Sequence, residues 1–328
     1  MSPELAALAG QIMAALPAGQ QPPPPPARPQ EGQSREAWLA EVAAVRGEHD
    51  AHAAVLAVHV TTQAAPAVES VTDLSIPVEG GDVTARVYRP AGQGPFPAVV
   101  FFHGGAWWLA GGERGFDLTD GHCRTICDGL GSVVINVDYR LAPENPYPGQ
   151  LRDAYAAACW VVENATELGV DCSDVSVMGA SSGGNLAAAV CLLARDEQGP
   201  RFASQVLLVP ALDLAGGSES MREVPGQWEA LQPVLRLYAS PEQVMDPYVS
   251  PLLADSMEGL PPAVIVTGDH DPLRDDGRRY VARLAADGVP VRHLAYPMLH
   301  NIALPETSER MFADVIEATA EFRSGRGA

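Results

Sequence analysis

The stretch Gly179-Ala180-Ser181-Ser182-Gly183 has the residue types and spacing of a built nucleophile. An apolar run, Val175–Met178, precedes it, and a helical pattern, Asn185–Arg195, follows. A serine at such a strand-to-helix turn has its Oγ lifted clear of the backbone. The flanking glycines remove Cβ atoms that would clash in the turn. The N–H groups that follow then point from the positive end of the helix dipole toward an incoming oxygen. Ser182 has the same hydroxyl, but the glycine spacing selects Ser181. The chemistry that fits is attack of a hydroxyl on an acyl carbon.

Such attack needs donors for the developing negative charge, a base and a carboxylate to orient the base. His103-Gly104-Gly105-Ala106-Trp107 follows the apolar run Ala98–Phe102 and resembles an HGG-type oxyanion loop. Gly104 and Gly105 allow close backbone approach, and the Ser182 N–H supplies a further donor. His103 is expected to hold the loop rather than move protons. Beyond Ser181 the histidines are His270, His293 and His300. His293 falls inside a strand pattern. His300 sits in the loop after it, where a base is needed. Asp269 and Asp271 both end the strand Val264–Thr267, and residue chemistry alone does not separate them.

The elements that must position these groups alternate along the chain. After Pro66, Val71–Val78 and Val83–Val87 read as strands joined by Gly80-Gly81-Asp82. Further strands are expected at Ala98–Phe102, Val133–Val137, Val175–Met178, Gln205–Val209, Val264–Thr267 and Val291–Ala295. Helices are expected at Tyr155–Leu168, Asn185–Arg195, Tyr280–Ala286 and Met311–Phe322. This alternation indicates an α/β fold with a mostly parallel sheet covered on both faces. Residues 214–245 break the rhythm and read as an insertion with short helices. Upstream, a first amphipathic helix, the run Pro22–Pro26 and a second helix from N-cap Ser34 to about Val60 form a separate N-terminal segment.

Composition narrows the setting. The chain has 328 residues, 47% hydrophobic and 19% charged, enough for a large core. Lys and Arg total 21 against 41 Asp and Glu, a formal charge of -20. That balance disfavours nucleic acid as a partner. No apolar run reaches the roughly 20 residues needed to span a bilayer. Five scattered cysteines do not read as a disulfide framework, so a cytoplasmic setting is expected. His49, His52 and His59 read as a solvated or packed helix face rather than a metal site. Glu144 and Asp153 read as structural hydrogen-bond partners.

Several motifs in order resemble the hormone-sensitive-lipase family of carboxylesterases, the bacterial family IV, over roughly residues 68–325. They are HGGAW at 103–107, DYRLAPE at 138–144, GASSGGN at 179–185, DPYVSPL at 246–252 and DPLRD at 271–275. The resemblance implies the α/β-hydrolase fold. It also selects Asp271 as the acid, giving Ser181, Asp271 and His300 as catalytic triad and Gly104, Gly105 and Ser182 as oxyanion donors. It implies a helical cap made by residues 1–66 and 213–245 over a catalytic domain of residues 67–328. Trp107 and Trp108 are then expected to line the substrate site, with Trp38, Leu231 and Tyr238 as further candidates. The expected reaction is hydrolysis of a small-molecule carboxylic ester with no cofactor and no metal; a homodimer is left open. Ala180, Ser182, Ala106 and Asn301-Ile302 depart from the family pattern. They keep open an acyltransferase, lactonase or cyclisation–elimination role, and a non-catalytic receptor is the third reading.

Overall fold

The computed structural model describes residues 1–15, 23–60, 65–223 and 225–325, with side chains at 13, 15 and 52–60 excluded. Pro22, the end of the N-terminal segment at 61–64 and the side chains of His52, Leu56, His59 and Val60 therefore lie outside the described residues. The elements run α1 (Pro3–Ala15), α2 (Arg35–Val60), β1 (Ser70–Val78), β2 (Gly81–Arg89), β3 (Phe96–Phe102) and α3 (Glu113–Leu130). They continue with β4 (Val133–Asp138), α4 (Gly149–Glu163), α5 (Ala165–Leu168), β5 (Val170–Ala180), α6 (Ser182–Asp196) and β6 (Gln205–Leu208). The last are α7 (Gln227–Tyr238), β7 (Ala263–Gly268), α8 (Arg274–Ala286), β8 (Val291–Tyr296) and α9 (Pro305–Arg323).

The eight strands form one sheet in the order β1-β2-β4-β3-β5-β6-β7-β8. Pairing is antiparallel for β1–β2 and β2–β4 and parallel from β4 through β8. The continuous apolar runs of β3 to β7 follow from coverage on both faces. In β3, Ala98, Val100 and Phe102 join one core with residues of α4, α6 and α8, while Val99 and Phe101 join the other with α3 and α9. A period of two thus splits one apolar strand between two cores.

Some boundaries differ from the sequence reading. The β1–β2 turn is Glu79-Gly80, with Val78 opposite Gly81, so Gly81 and Asp82 belong to the strand. Gly80 alone has the left-handed φ of 80° that such a turn requires. The helix expected at Tyr155–Leu168 starts earlier, at Gly149, and breaks at Asn164, whose Nδ2 donates to the Trp160 carbonyl at 2.8 Å. Local side-chain bonding of this kind competes with helix continuation. Residues 214–245 do hold short helices, namely α7 and single turns at Ser220–Arg222 and Gln243–Met245. Ser34 caps α2, its Oγ accepting the Ala37 N–H at 3.1 Å.

The DYRLAPE segment is a structural joint. Asp153 is fully buried on α4 and accepts from Arg140 Nη2 at 2.6 Å, Nε at 2.8 Å and the Arg140 backbone N–H at 3.1 Å. Glu144 accepts from Arg46 of α2 at 2.7 and 2.9 Å, tying the N-terminal segment to this loop. Replacing Asp153 by Ala removes three hydrogen bonds from the half-buried Arg140, leaving its guanidinium only the Glu79 carbonyl. Urea unfolding should show a loss of about 3 kcal/mol; a loss within experimental error would contradict this account.

Candidate active site

The site is built where β3, β5, β7 and β8 end. Parallel pairing brings those carboxyl ends to one edge of the sheet, and the loops that leave them converge there. Ser181 is the single residue between β5 and α6, and it holds φ 55° and ψ -116°. That left-handed backbone is unusual for a residue with a Cβ and marks a constrained turn. The turn is clamped from below: the Ser181 N–H donates to the Leu208 carbonyl at 2.8 Å, and the Ser181 carbonyl accepts from Asn185 at 3.0 Å. A Cβ on Gly183 would run into the carbonyl oxygens of Phe102 and His103. Only glycine lets α6 begin so close to the end of β3.

His300 Nε2 lies 3.0 Å from Ser181 Oγ, and its Nδ1 lies 2.9 Å from Asp271 Oδ2. Asp271 is 3% exposed, and its other oxygen accepts the Leu273 N–H at 2.7 Å. The carboxylate is thus fixed at both oxygens, with the imidazole pointed at the hydroxyl. Asp269, the competing carboxylate, faces away toward Arg278 at 3.5 Å. His293 Nε2 is bound to Thr267 Oγ1 at 2.9 Å, and His270 borders the cavity without joining this chain of bonds.

His300 and Asn301 form the tip of a tight turn closed by Leu299 and Ile302, the Leu299 N–H donating to the Ile302 carbonyl at 2.9 Å. Asn301 has φ 57°. Asparagine is the side chain that best tolerates this region after glycine. The departure at 301 therefore keeps the backbone geometry that places His300.

Gly104 packs against Ser181: a Cβ there would sit 3.1 Å from the Ala180 carbonyl and 3.5 Å from Ser181 Cβ. Among the described residues, the N–H groups of Gly104, Gly105 and Ser182 donate no backbone hydrogen bond, which leaves them available to a ligand oxygen. His103 is buried, its Nδ1 2.7 Å from the Gly104 carbonyl and its ring stacked 4.3 Å from Tyr139. Tyr139 Oη donates to the His103 carbonyl at 2.9 Å. Burial holds this imidazole below the usual histidine range, so it stays neutral and braces the loop.

A cavity of about 640 Å³ opens over Ser181, His300 and Gly105. Trp107, Leu109, Leu214, Met221, Leu231, Val234, Leu235, Leu299 and Ile302 give it an apolar wall. Trp107 and Leu231 border it. Trp108, Trp38 and Tyr238 do not. Trp108 is 1% exposed within the core and meets the edge of His49 at 5.0 Å. Tyr238 stacks behind Trp107 at 4.4 Å and bears on the cavity only through that ring. Gly104 and Ser182 lie beside Ser181 behind the cavity surface. Trp228 and Asp276 border the cavity and were missed. Neither belongs to a motif that marks a wall residue; helical periodicity around Gln227 was the one available signal for Trp228.

Asp276, at the start of α8, is 2% exposed and accepts from Ser218 Oγ and from the N–H groups of Leu212 at 2.7 Å and Asp213 at 2.9 Å. Burial raises its carboxyl to about 7 despite these donors. The folded state therefore binds a proton that the unfolded chain releases near the ordinary carboxylate range. Its contribution is fully present below that range and is lost as pH rises toward 7. The unfolding free energy of Asp276→Asn minus wild type should therefore rise between pH 5 and 7, by up to about 1.4 kcal/mol per unit. A flat difference would show that Asp276 does not titrate in this window.

Among the described residues no group of three or more His, Cys, Asp or Glu is arranged to hold a metal ion, and no helix is long and apolar enough to cross a membrane.

A family model for the alpha/beta hydrolase fold matches residues 99–304. The chain is 43% identical to the carboxylic ester hydrolase LipN of Mycobacterium tuberculosis over 67% of its own length and 61% of the relative's. It therefore spans about three fifths of that protein. It is 39% identical to the carboxylesterase NlhH of the same organism, over 75% of this chain and 76% of that one. Among solved structures, a hyperthermophilic esterase from Pyrobaculum calidifontis superposes with TM-score 0.76 at 34% identity, covering 87% of this chain and 94% of that one. The Ser161Ala mutant of LAE6, an α/β-hydrolase enzyme from the Lake Arreo metagenome, superposes with TM-score 0.82 at 29% identity, covering 100% and 99%.

Proposed function

This chain belongs to the α/β-hydrolase carboxylesterases of the hormone-sensitive-lipase type, and we propose that it hydrolyses a small carboxylic ester through an acyl-enzyme on Ser181. The observation that carries the proposal is the unbroken run from Asp271 through His300 to Ser181 Oγ, opening into an apolar cavity.

Each group has one task. His300 Nε2 accepts the Ser181 proton as Oγ attacks the acyl carbon. The buried Asp271 carboxylate holds Nδ1–H, fixing the tautomer and stabilising the imidazolium. The carbonyl oxygen becomes an oxyanion against the N–H groups of Gly104, Gly105 and Ser182. These donors stand in place before the reaction, which is why each is worth about 3 kcal/mol. His300 then returns the proton to the departing alcohol oxygen. A water, deprotonated by the same imidazole, attacks the acyl-enzyme, and the acid leaves as Ser181 regains its proton. The relatives named above are hydrolases, which favours water as acceptor over a transferase, lactonase or elimination role. The complete triad geometry argues against a non-catalytic receptor. All five cysteines are free thiols, and a reducing cytoplasm is the proposed setting. The residues of α7 on the cavity wall support reading 213–245 as part of a cap.

Ser181→Ala should lower kcat on p-nitrophenyl acetate by at least about 10⁴-fold. Hydrolysis in H₂¹⁸O should place one labelled oxygen in the released acid. Retention of most activity by the variant would overturn the assignment of Ser181, and unlabelled acid would overturn water as acceptor.

A further inference from the structure

Trp228 is the least expected part of the cavity. It lies in the first turn of α7, half-buried, with its indole on the wall. The ring rests on Gly216. A Cβ at that glycine would come within 2.5 Å of Trp228 Cζ2 and 2.7 Å of Cη2. Gly216 also holds φ 79°, which any side chain would strain. The seat is thus a turn that only glycine can form with the indole in place.

That turn is built rigidly. The Ala215 N–H donates to Asp213 Oδ1 at 3.1 Å, and the Gly217 N–H to Asp213 Oδ2 at 3.0 Å. Arg279 of α8 pairs with the same Oδ2 at 2.7 Å. Asp276 grips the backbone just before it through the Leu212 and Asp213 N–H groups. The turn therefore hangs from α8, which is packed on the sheet. The chain leading into the turn is also tied to Ser181, since the Ala211 N–H donates to the Ser181 carbonyl at 3.3 Å. The indole thus rests against a braced loop. The exposed Arg222 guanidinium stands 6.0 Å over the same indole, at the outer reach of a cation–π contact.

We propose that Trp228, seated on Gly216, is a specificity-determining residue that sets the largest substituent the ester can carry toward α7. This rests on the ester-hydrolase reading above. A wall atom that stops an apolar chain removes the gain from each methylene beyond it, about fourfold in kcat/KM per group. Replacing the indole by a methyl group opens that space to longer or bulkier esters.

The test measures kcat/KM for wild type, Trp228→Ala, Trp228→Phe and Gly216→Ala over two series. One lengthens the acyl chain of p-nitrophenyl esters from acetate to dodecanoate. The other holds acetate constant and enlarges the alcohol. In one series Trp228→Ala should move the optimum by at least two methylenes, raising the long-to-short ratio by about fourfold for each. Trp228→Phe should fall between, and Gly216→Ala, which drives the indole off its seat, should change the same ratio. Which series responds tells whether the acyl or the alcohol group lies against α7. Profiles for Trp228→Ala that match wild type in both series would overturn this assignment and leave the ester-hydrolase reading intact. A wild-type protein that cleaves none of these esters would overturn that reading and this assignment with it.

Discussion

The site depends on one backbone turn. Ser181 joins a buried strand to a buried helix with no intervening residue, and it does so at positive φ. The cost of that conformation is carried by the hydrogen bonds beneath it and by the packing of α6, buried along nearly its whole length. Because the turn is held this firmly, Ser181 Oγ, the neighbouring N–H groups and the helix N-terminus share one rigid frame. Preorganised donors of this kind need no reorientation as charge develops. Gly183 is the hinge of the arrangement, since a side chain there would push α6 away from β3.

The other groups reach the same point by different means. Asp271 stands in the turn that leaves β7, three residues past Gly268, and the backbone of that turn holds one carboxylate oxygen. His300 stands on a short turn closed by two backbone bonds between Leu299 and Ile302, with Asn301 beside it in left-handed geometry. The HGG loop is held from behind by the stacked His103 and Tyr139. Three loops of unrelated sequence thus meet because the strands that carry them are parallel and close in the sheet.

Charge organises the cavity wall as much as apolar contact does. Asp213, Asp276 and Ser218 form a buried polar cluster at the cavity wall, and the exposed Arg279 guanidinium closes it from the solvent side. Buried carboxylates are costly unless fully bonded, and here they satisfy backbone N–H groups that no strand or helix could serve. The cluster replaces regular secondary structure as the support for an irregular loop. In the same way Arg46 with Glu144 and Arg140 with Asp153 tie loop to helix where hydrogen-bonded strands end.

The sequence alone determined the alternation of strands and helices, the strand-ending positions of Ser181, Asp271 and His300, and the glycines of the oxyanion loop. Local chemistry dictates all of these: apolar runs need burial, and a nucleophile elbow needs glycine at fixed offsets. Residue types left Asp269 and Asp271 equal, and only the family resemblance favoured Asp271. Tertiary structure gave the physical ground, turning Asp269 toward Arg278 and Asp271 toward His300. It also decided which aromatics border the cavity. Trp107 and Trp108 are adjacent and alike in sequence, yet one borders the cavity and the other lies in the core beside His49. Trp228 belongs to no motif and reaches the wall only because a glycine far from any strand leaves room for its ring. Position along a strand is written locally, but the facing of a side chain across a loop is set by what packs behind it.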